Sequence, residues 1–366
     1  MLFTMRSPTV PSARVRLIQV VPPGPGGVRD YADALRNAWT RRGLDSEVMA
    51  FDREAARERP LRERLVAVGR PHRVAVLLHV SGYGYERRAL FGWLLREVFD
   101  AQHALGEQLH LLAMFHELSA SGPPWRSAFW LGGLQARLVR SLAQAADAVC
   151  TNTQRHVRFL RGAIDSGTPF RCLPVFSTIG EAVHRPAPQD RGPALVAFGS
   201  QSTRRRALSQ LHRHGSALQR LGIRHITEIG SGESTDPRCG LPHRFAGQLS
   251  AEEVSRQLLL HRWGLLDYPA SHFGKSTVFA AYAAHGCVTL NVARPVQPEE
   301  GLEAGRHFME LASTEPAIEL PLHILAQAAS DWYAGHTLEH QSSEFLELLQ
   351  RSRARRAAQR SLALVP

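Results

Sequence analysis

The feature that most constrains this chain is an alternation of short apolar runs and amphipathic stretches that begins at Val15, breaks once, and begins again. Val15–Val21 (V-R-L-I-Q-V-V) is closed by Pro22-Pro23-Gly24-Pro25-Gly26-Gly27, the pattern of a buried strand running into a loop. Val28, Tyr31, Ala32, Leu35, Ala38 and Trp39 then recur at the spacing of one helical face, which Gly43 ends. The unit repeats: strand-like 47–51, helical 53–68, a strand at Arg73–Val80, helical 90–104, a strand at Leu109–Phe115, helical 125–145, and strands at Ala148–Thr151 and 170–174. Strands separated by helices at this spacing pair in parallel, so the spacing predicts an α/β, doubly wound sheet.

The break is 184–193, H-R-P-A-P-Q-D-R-G-P, with three prolines and almost no apolar content. After it the alternation restarts: strand-like 194–198, helical 203–221, strand-like 224–229, a helix from the capping pair Ser250 and Glu253, strand-like 263–268, helical 277–285 and strand-like 287–292. The expected organisation is a flexible tail at 1–14, an N-terminal Rossmann-like domain at 15–185, a linker at 186–193 and a second Rossmann-like domain at 194–335. A C-terminal helix at 336–366 is expected to pack back on the N-terminal domain.

Composition narrows the function classes. With 44% hydrophobic and 21% charged residues the chain is not disordered, and its longest apolar runs are too short to span a bilayer. The four cysteines, Cys150, Cys172, Cys239 and Cys287, make no C-x-x-C pair, which excludes a zinc ribbon and a disulfide scaffold. No leader pattern stands at 1–14, so the expected location is the cytoplasm. The 44 basic against 33 acidic residues give +11, which invites a nucleic-acid reading. The basic run 351–360 has no interleaved aromatics, so no specific nucleic-acid partner is expected. That run is instead a solvated helix face or a peripheral contact with the inner face of a membrane. Of the 44 basic residues 43 are Arg, and the single Lys is Lys275.

The polar clusters fall at carboxyl ends of predicted strands, where doubly wound sheets bind ligands. Gly26 and Gly27 follow the first strand, His79 and Tyr83 the third, His116 and Glu117 the fourth. In the second half, Gly199 and Arg204 follow the first strand. Phe273-Gly274-Lys275-Ser276-Thr277 opens a helix with an anion-site composition: glycine, a cation, hydroxyls and helical N–H groups. A phosphate-binding G-x-x-x-x-G-K-[ST] loop would need Gly at 269, where Pro269 stands. Three arginines, 204–206, at a predicted helix start either meet a neutralising anion or form a solvated basic turn. His336-Thr337-Leu338-Glu339-His340 has H-x-x-E-H spacing, but with eighteen histidines in the chain a surface helix is the better account. No D-x-D triplet is present, and no metal site is expected.

In order along the chain, V-V-P-P-G-P-G-G-V-R-D-Y-A-D-A-L at 20–35, F-H-E-L at 115–118, A-F-G at 197–199 with Arg204–206, and 244–250, 263–268 and 274–286 resemble the GT-B-fold glycosyltransferases. The resemblance implies two Rossmann-like domains facing across a cleft and transfer of a sugar from a nucleoside-diphosphate donor to an acceptor. No cofactor is implied beyond the nucleotide-sugar itself, and no metal. Gly199, Arg204, Lys275, Ser276 and Thr277 would hold the nucleoside diphosphate, and Gly26, Gly27 and Tyr83 would face the acceptor and sugar. His116, oriented by Glu117, would act as base, with His79 the second candidate. Retaining members usually carry E-x7-E where 273–284 here holds no carboxylate. That departure keeps a non-catalytic nucleotide- or glycan-binding protein on the same fold as the alternative.

Overall fold

The computed structural model describes residues 15–69, 73–119, 125, 127–311 and 321–363; the expected tail at 1–14 lies outside them. The chain forms two compact units, the first from Met1–Cys150, Leu160–Phe170 and Phe345–Pro366, the second from Thr151–Phe159 and Arg171–Glu344.

The sheet of the first unit, whose β5 and β6 run on into the second, has β1 (Val15–Val21), β2 (Ser46–Ala50), β3 (Arg73–Val80), β4 (Leu109–Phe115), β5 (Ala148–Thr151) and β6 (Phe170–Cys172) in the order β2-β1-β3-β4-β5-β6. β1 pairs in parallel with β2 on one side and β3 on the other, and β3 in parallel with β4. The winding direction reverses between β1 and β3, so the loops after these strands diverge and leave a crevice at their carboxyl ends. The helix Gly27–Arg41 covers one face with the periodic residues read from the sequence, burying Tyr31, Ala32, Leu35, Ala38 and Trp39. Burial of each large apolar side chain in that set contributes about 1.5–3 kcal/mol.

The second unit repeats the plan with β7 (Gly192–Phe198), β8 (His225–Ile229), β9 (His243–Phe245), β10 (His261–Leu266), β11 (Val288–Asn291) and β12 (Met309–Glu310), ordered β12-β11-β10-β7-β8-β9. Its reversal falls between β7 and β10, which pair in parallel. From this point the helix Gln201–Gln210 leaves β7 and the helix Thr277–His285 leaves β10. The latter is apolar all round (T-V-F-A-A-Y-A-A-H), as a helix enclosed on every side must be, and Val278 through His285 are buried.

Two boundaries differ from expectation. Residues 171–185 belong to the second unit, because Leu173 N–H donates to Thr151, Val175 N–H to Gly274, and Ser177 N–H to the Tyr333 hydroxyl. The proline-rich 186–193 is a packed strap of that unit, not a free linker. The buried Arg191 donates to the Pro186 carbonyl at 2.7 and 2.9 Å, and Arg262 donates to that of Pro188 at 2.9 Å. Prolines are used here where the carbonyls are needed and the N–H groups are not.

The last helix, Leu338–Ala363, joins the first unit from Phe345 onward, with Phe345 edge-on to Trp39. Its arginines are not left as a bare basic face. Arg351 pairs with Glu347, Arg355 with Asp165, Arg356 with Asp147 and Arg360 with Glu107. Arg355, Arg356 and Arg360 tie the helix to the rest of the first unit, while Arg351 pairs within the helix itself.

Candidate functional site

In the first unit, Gln19, His79 and His116 lie on one face of the sheet. Gln19 is in register with Leu77 and His79 with Met114, and strand side chains alternate, so each of the three sits two residues further toward the carboxyl edge. Gln19 Nε2 donates to the Ala32 carbonyl at 2.8 Å, Gln19 Oε1 lies 2.9 Å from His79 Nε2, and His79 Nδ1 lies 3.0 Å from His116 Nε2. The two imidazoles are nearly parallel, at 15°, and the Tyr31 ring packs edge-on against both. Gln19 and His79 are fully buried, whereas His116, one residue beyond β4, is 8% exposed. Burial first, then the neighbouring His116, holds His79 neutral, well below the ordinary histidine range.

This geometry changes two assignments. His79 has no access to a substrate and is not a second base. Glu117 does not orient His116, because its Oε2 accepts from Ser81 Oγ at 2.8 Å. The side chain facing His116 Nε2 is His79. Gln19 was missed, although a lone amide inside V-R-L-I-Q-V-V was a visible signal.

Around these residues the crevice is built from loops. Gly26 adopts φ 153° at the start of the helix Gly27–Arg41, and a Cβ at either Gly26 or Gly27 would meet open space. Gly84, on the short helix Gly82–Tyr85, approaches Pro22 so closely that a Cβ would lie 2.8 Å from the ring, and this draws the loops after β1 and β3 together. Tyr83 on the same turn is exposed.

In the second unit the reversal point brings two helix starts side by side. Gly199 (φ 127°) leaves β7, and a Cβ there would lie 3.1 Å from Val278 of the helix leaving β10. Ser200 caps one helix by accepting from Thr203 N–H, and Ser276 caps the other by accepting from Phe279 N–H at 3.1 Å. The Ser276 oxygen thus caps the helix, and Thr277 is the first helical residue. Lys275 is half-buried beside this cap. Its charge and that of Arg155, after burial, push His272 below the usual histidine value.

Gly274 is required for packing, not for approach of a phosphate, since a Cβ would lie 2.5 Å from the Asn152 carbonyl oxygen. Gly274→Ala is therefore expected to destabilise the second unit by about 1–3 kcal/mol, the range for overpacked sites, read as a fall in melting temperature. Glu300 shares this packing. Its Oε1 accepts from Gln154 N–H at 2.8 Å, and burial raises its pKa to about 7. It and Glu299 place carboxylates beside a loop whose own stretch has none.

Arg204 also departs from its expected role. It is fully buried, with Nε donating to Glu228 Oε1 at 3.0 Å, Nη1 to the Gly199 carbonyl at 2.6 Å and Nη2 to the Ser231 carbonyl at 2.9 Å. The anion that neutralises it is Glu228, and its guanidinium ties the loops after β7 and β8 together. Arg206 faces Asp267 at 3.5 Å. Arg205 lines a cavity of about 520 Å³ beside this edge, with Gln201, His212 and Glu233.

The H-x-x-E-H spacing builds nothing. His336 precedes the helix Leu338–Ala363 and packs on Trp332 at 4.6 Å, so it shares no helical face with His340. Among the described residues no group of three or more His, Cys, Asp or Glu side chains could hold a metal ion.

No family model and no curated protein matches the sequence. Solved structures do. The α,α-trehalose 6-phosphate synthase from Burkholderia multivorans is 11% identical, with a TM-score of 0.60 over 94% of this chain and 99% of its own. The α,α-trehalose-phosphate synthase (UDP-forming) from Burkholderia xenovorans, in complex with glucose-6-phosphate, is 13% identical, with a TM-score of 0.56 over 92% and 100%. The pneumococcal O-GlcNAc transferase GtfA, in complex with UDP and GlcNAc, is 11% identical, with a TM-score of 0.51 over 80% of this chain. This chain spans 59% of that transferase. The two parallel six-stranded units are those of the GT-B fold.

Proposed function

We propose that the protein is a glycosyltransferase that moves a sugar from a nucleoside-diphosphate donor to an acceptor without a bound metal. The observation carrying this reading is the reversal point of the second unit, where two helix N-termini meet beside the one lysine of the chain. Helical N–H groups and a lysine together suit a diphosphate, whose negative charge grows as the glycosyl bond breaks. Gly199, Lys275 and the amides opening at Thr277 bind the donor in this reading. The acceptor lies against the first unit at Gly26, Gly27 and Tyr83, and His116 is the group that takes its proton.

The fold likeness supports glycosyl transfer as the class, and this reading gives the lone lysine a task. A charge-assisted contact of this kind contributes about 1.5–3 kcal/mol. Lys275→Ala is accordingly expected to raise the Kd for nucleoside diphosphate at least about tenfold by calorimetry. Lys275→Arg should fall between the two, since a guanidinium restores charge but not the compact ammonium. Unchanged affinity in both variants would remove the diphosphate from this edge. A thermal-shift screen across nucleoside diphosphates identifies the base, because ligand at 100 times its Kd adds about 2.7 kcal/mol to stability. Release of nucleoside diphosphate from a sugar donor, accelerated by acceptor, separates a transferase from a binding protein.

A further inference from the structure

We infer that Gln19 and His79 are positioning residues that set the tautomer of His116, leaving Nδ1 as the nitrogen through which His116 exchanges a proton. The Ala32 carbonyl can only accept, so the amide nitrogen of Gln19 must face it, as it does at 2.8 Å. Gln19 Oε1 is then the atom facing His79 Nε2 at 2.9 Å, and that nitrogen must carry a hydrogen. His79 is fully buried with no carboxylate among its hydrogen-bond partners, so it is neutral, and its Nδ1 holds a lone pair. The 3.0 Å contact with His116 is satisfied only if His116 Nε2 donates. One fixed carbonyl in the helix Gly27–Arg41 thus dictates, through two side chains, which nitrogen of a histidine at the crevice is basic.

The neighbouring groups hold the relay in place. Tyr31 wedges edge-on against both rings, and Glu117, next to His116 in sequence, is engaged by Ser81. A relay of neutral donors orients a base without competing for its proton. A carboxylate in the place of His79 would instead stabilise the charged ring.

The role in catalysis rests on the glycosyltransferase reading, but the tautomer does not, and the experiment separates them. The protein with 15N-labelled histidine is observed by long-range 1H–15N NMR, with His79→Gln and His116→Gln spectra giving the assignments. The expected result for the unaltered protein at pH 8 is Nε2-protonated, Nδ1-bare rings for both His79 and His116. His79 is expected to keep that form down to pH 5.5. An Nδ1-protonated His116 overturns the inference, and so does a His79 that takes up a proton across this range.

Gln19→Leu is expected to give mixed His116 tautomers and to lower kcat about 10- to 100-fold with the donor KM unchanged. In His79→Gln the amide oxygen can accept from His116, so most of the rate returns relative to His79→Phe. Equal loss in His79→Gln and His79→Phe would make the relay merely structural. Correct tautomers with no transfer from any sugar donor would leave the relay standing and sink the glycosyltransferase reading.

Discussion

His116→Ala is expected to lower turnover by about 10²–10⁴-fold, the usual contribution of a positioned base, while nucleoside-diphosphate affinity stays within about twofold. Both halves of the expectation come from placement. His116 lies just past β4 in the first unit, whereas the proposed diphosphate contacts are in the second. The substitution also strands His79 Nδ1, a buried acceptor, at a cost of about 1–3 kcal/mol, so a modest fall in melting temperature should accompany the rate loss. His116→Gln is the control, since its amide N–H can still donate to His79 yet cannot act as a base. It should regain the stability and not the rate. Initial rates of nucleoside-diphosphate release at saturating donor make the test, and unchanged turnover in both variants would remove His116 from the chemistry.

What could be read in the sequence divides along a physical line. The strand–helix alternation was legible because periodicity is local: Tyr31, Leu35 and Trp39 announce a buried face wherever the helix ends up. The strand-end location of His79, His116 and Lys275 followed from the same alternation. Partner identity did not, because a hydrogen bond between residues 60 apart, as from Gln19 to His79, leaves no spacing to count. Glu117 was paired with His116 because it is adjacent in sequence, yet neighbours in an extended segment point to opposite sides, and Ser81 took its carboxylate. The proline-rich 186–193 had the composition of a linker. Its packing depends on Arg191 and Arg262, whose carbonyl partners no composition reveals.

Arg204→Ala is expected to destabilise the second unit by about 3–5 kcal/mol, because it leaves the fully buried Glu228 without its cation. For a domain of this size that is a fall on the order of 10 °C in melting temperature. The sequence put Arg204 on a phosphate, reasoning that an arginine at a helix start needs an anion. The arginine at this helix start does meet an anion, and it is the internal Glu228. Glu228 is a fully buried residue near the carboxyl end of β8, an uncharacteristic place for a carboxylate, and it also accepts from Thr235 N–H at 2.9 Å and Ser234 Oγ at 3.2 Å. Gly230 completes the arrangement: a Cβ there would lie 2.0 Å from Arg204 Nη1 and 2.4 Å from the Gly199 carbonyl oxygen. The guanidinium thus occupies the space a side chain at 230 would need. It clamps the loop that carries Gly199, so its effect on any ligand is indirect. A cycle of Arg204→Met, Glu228→Leu and the double variant tests this by thermal melts. The double should be more stable than Arg204→Met alone, because the dominant cost of the single change is the stranded carboxylate and not the lost contacts. If the two melt alike, Glu228 is not what holds Arg204. If Arg204→Met instead melts like the parent protein and loses nucleoside diphosphate, the arginine belongs to the ligand after all.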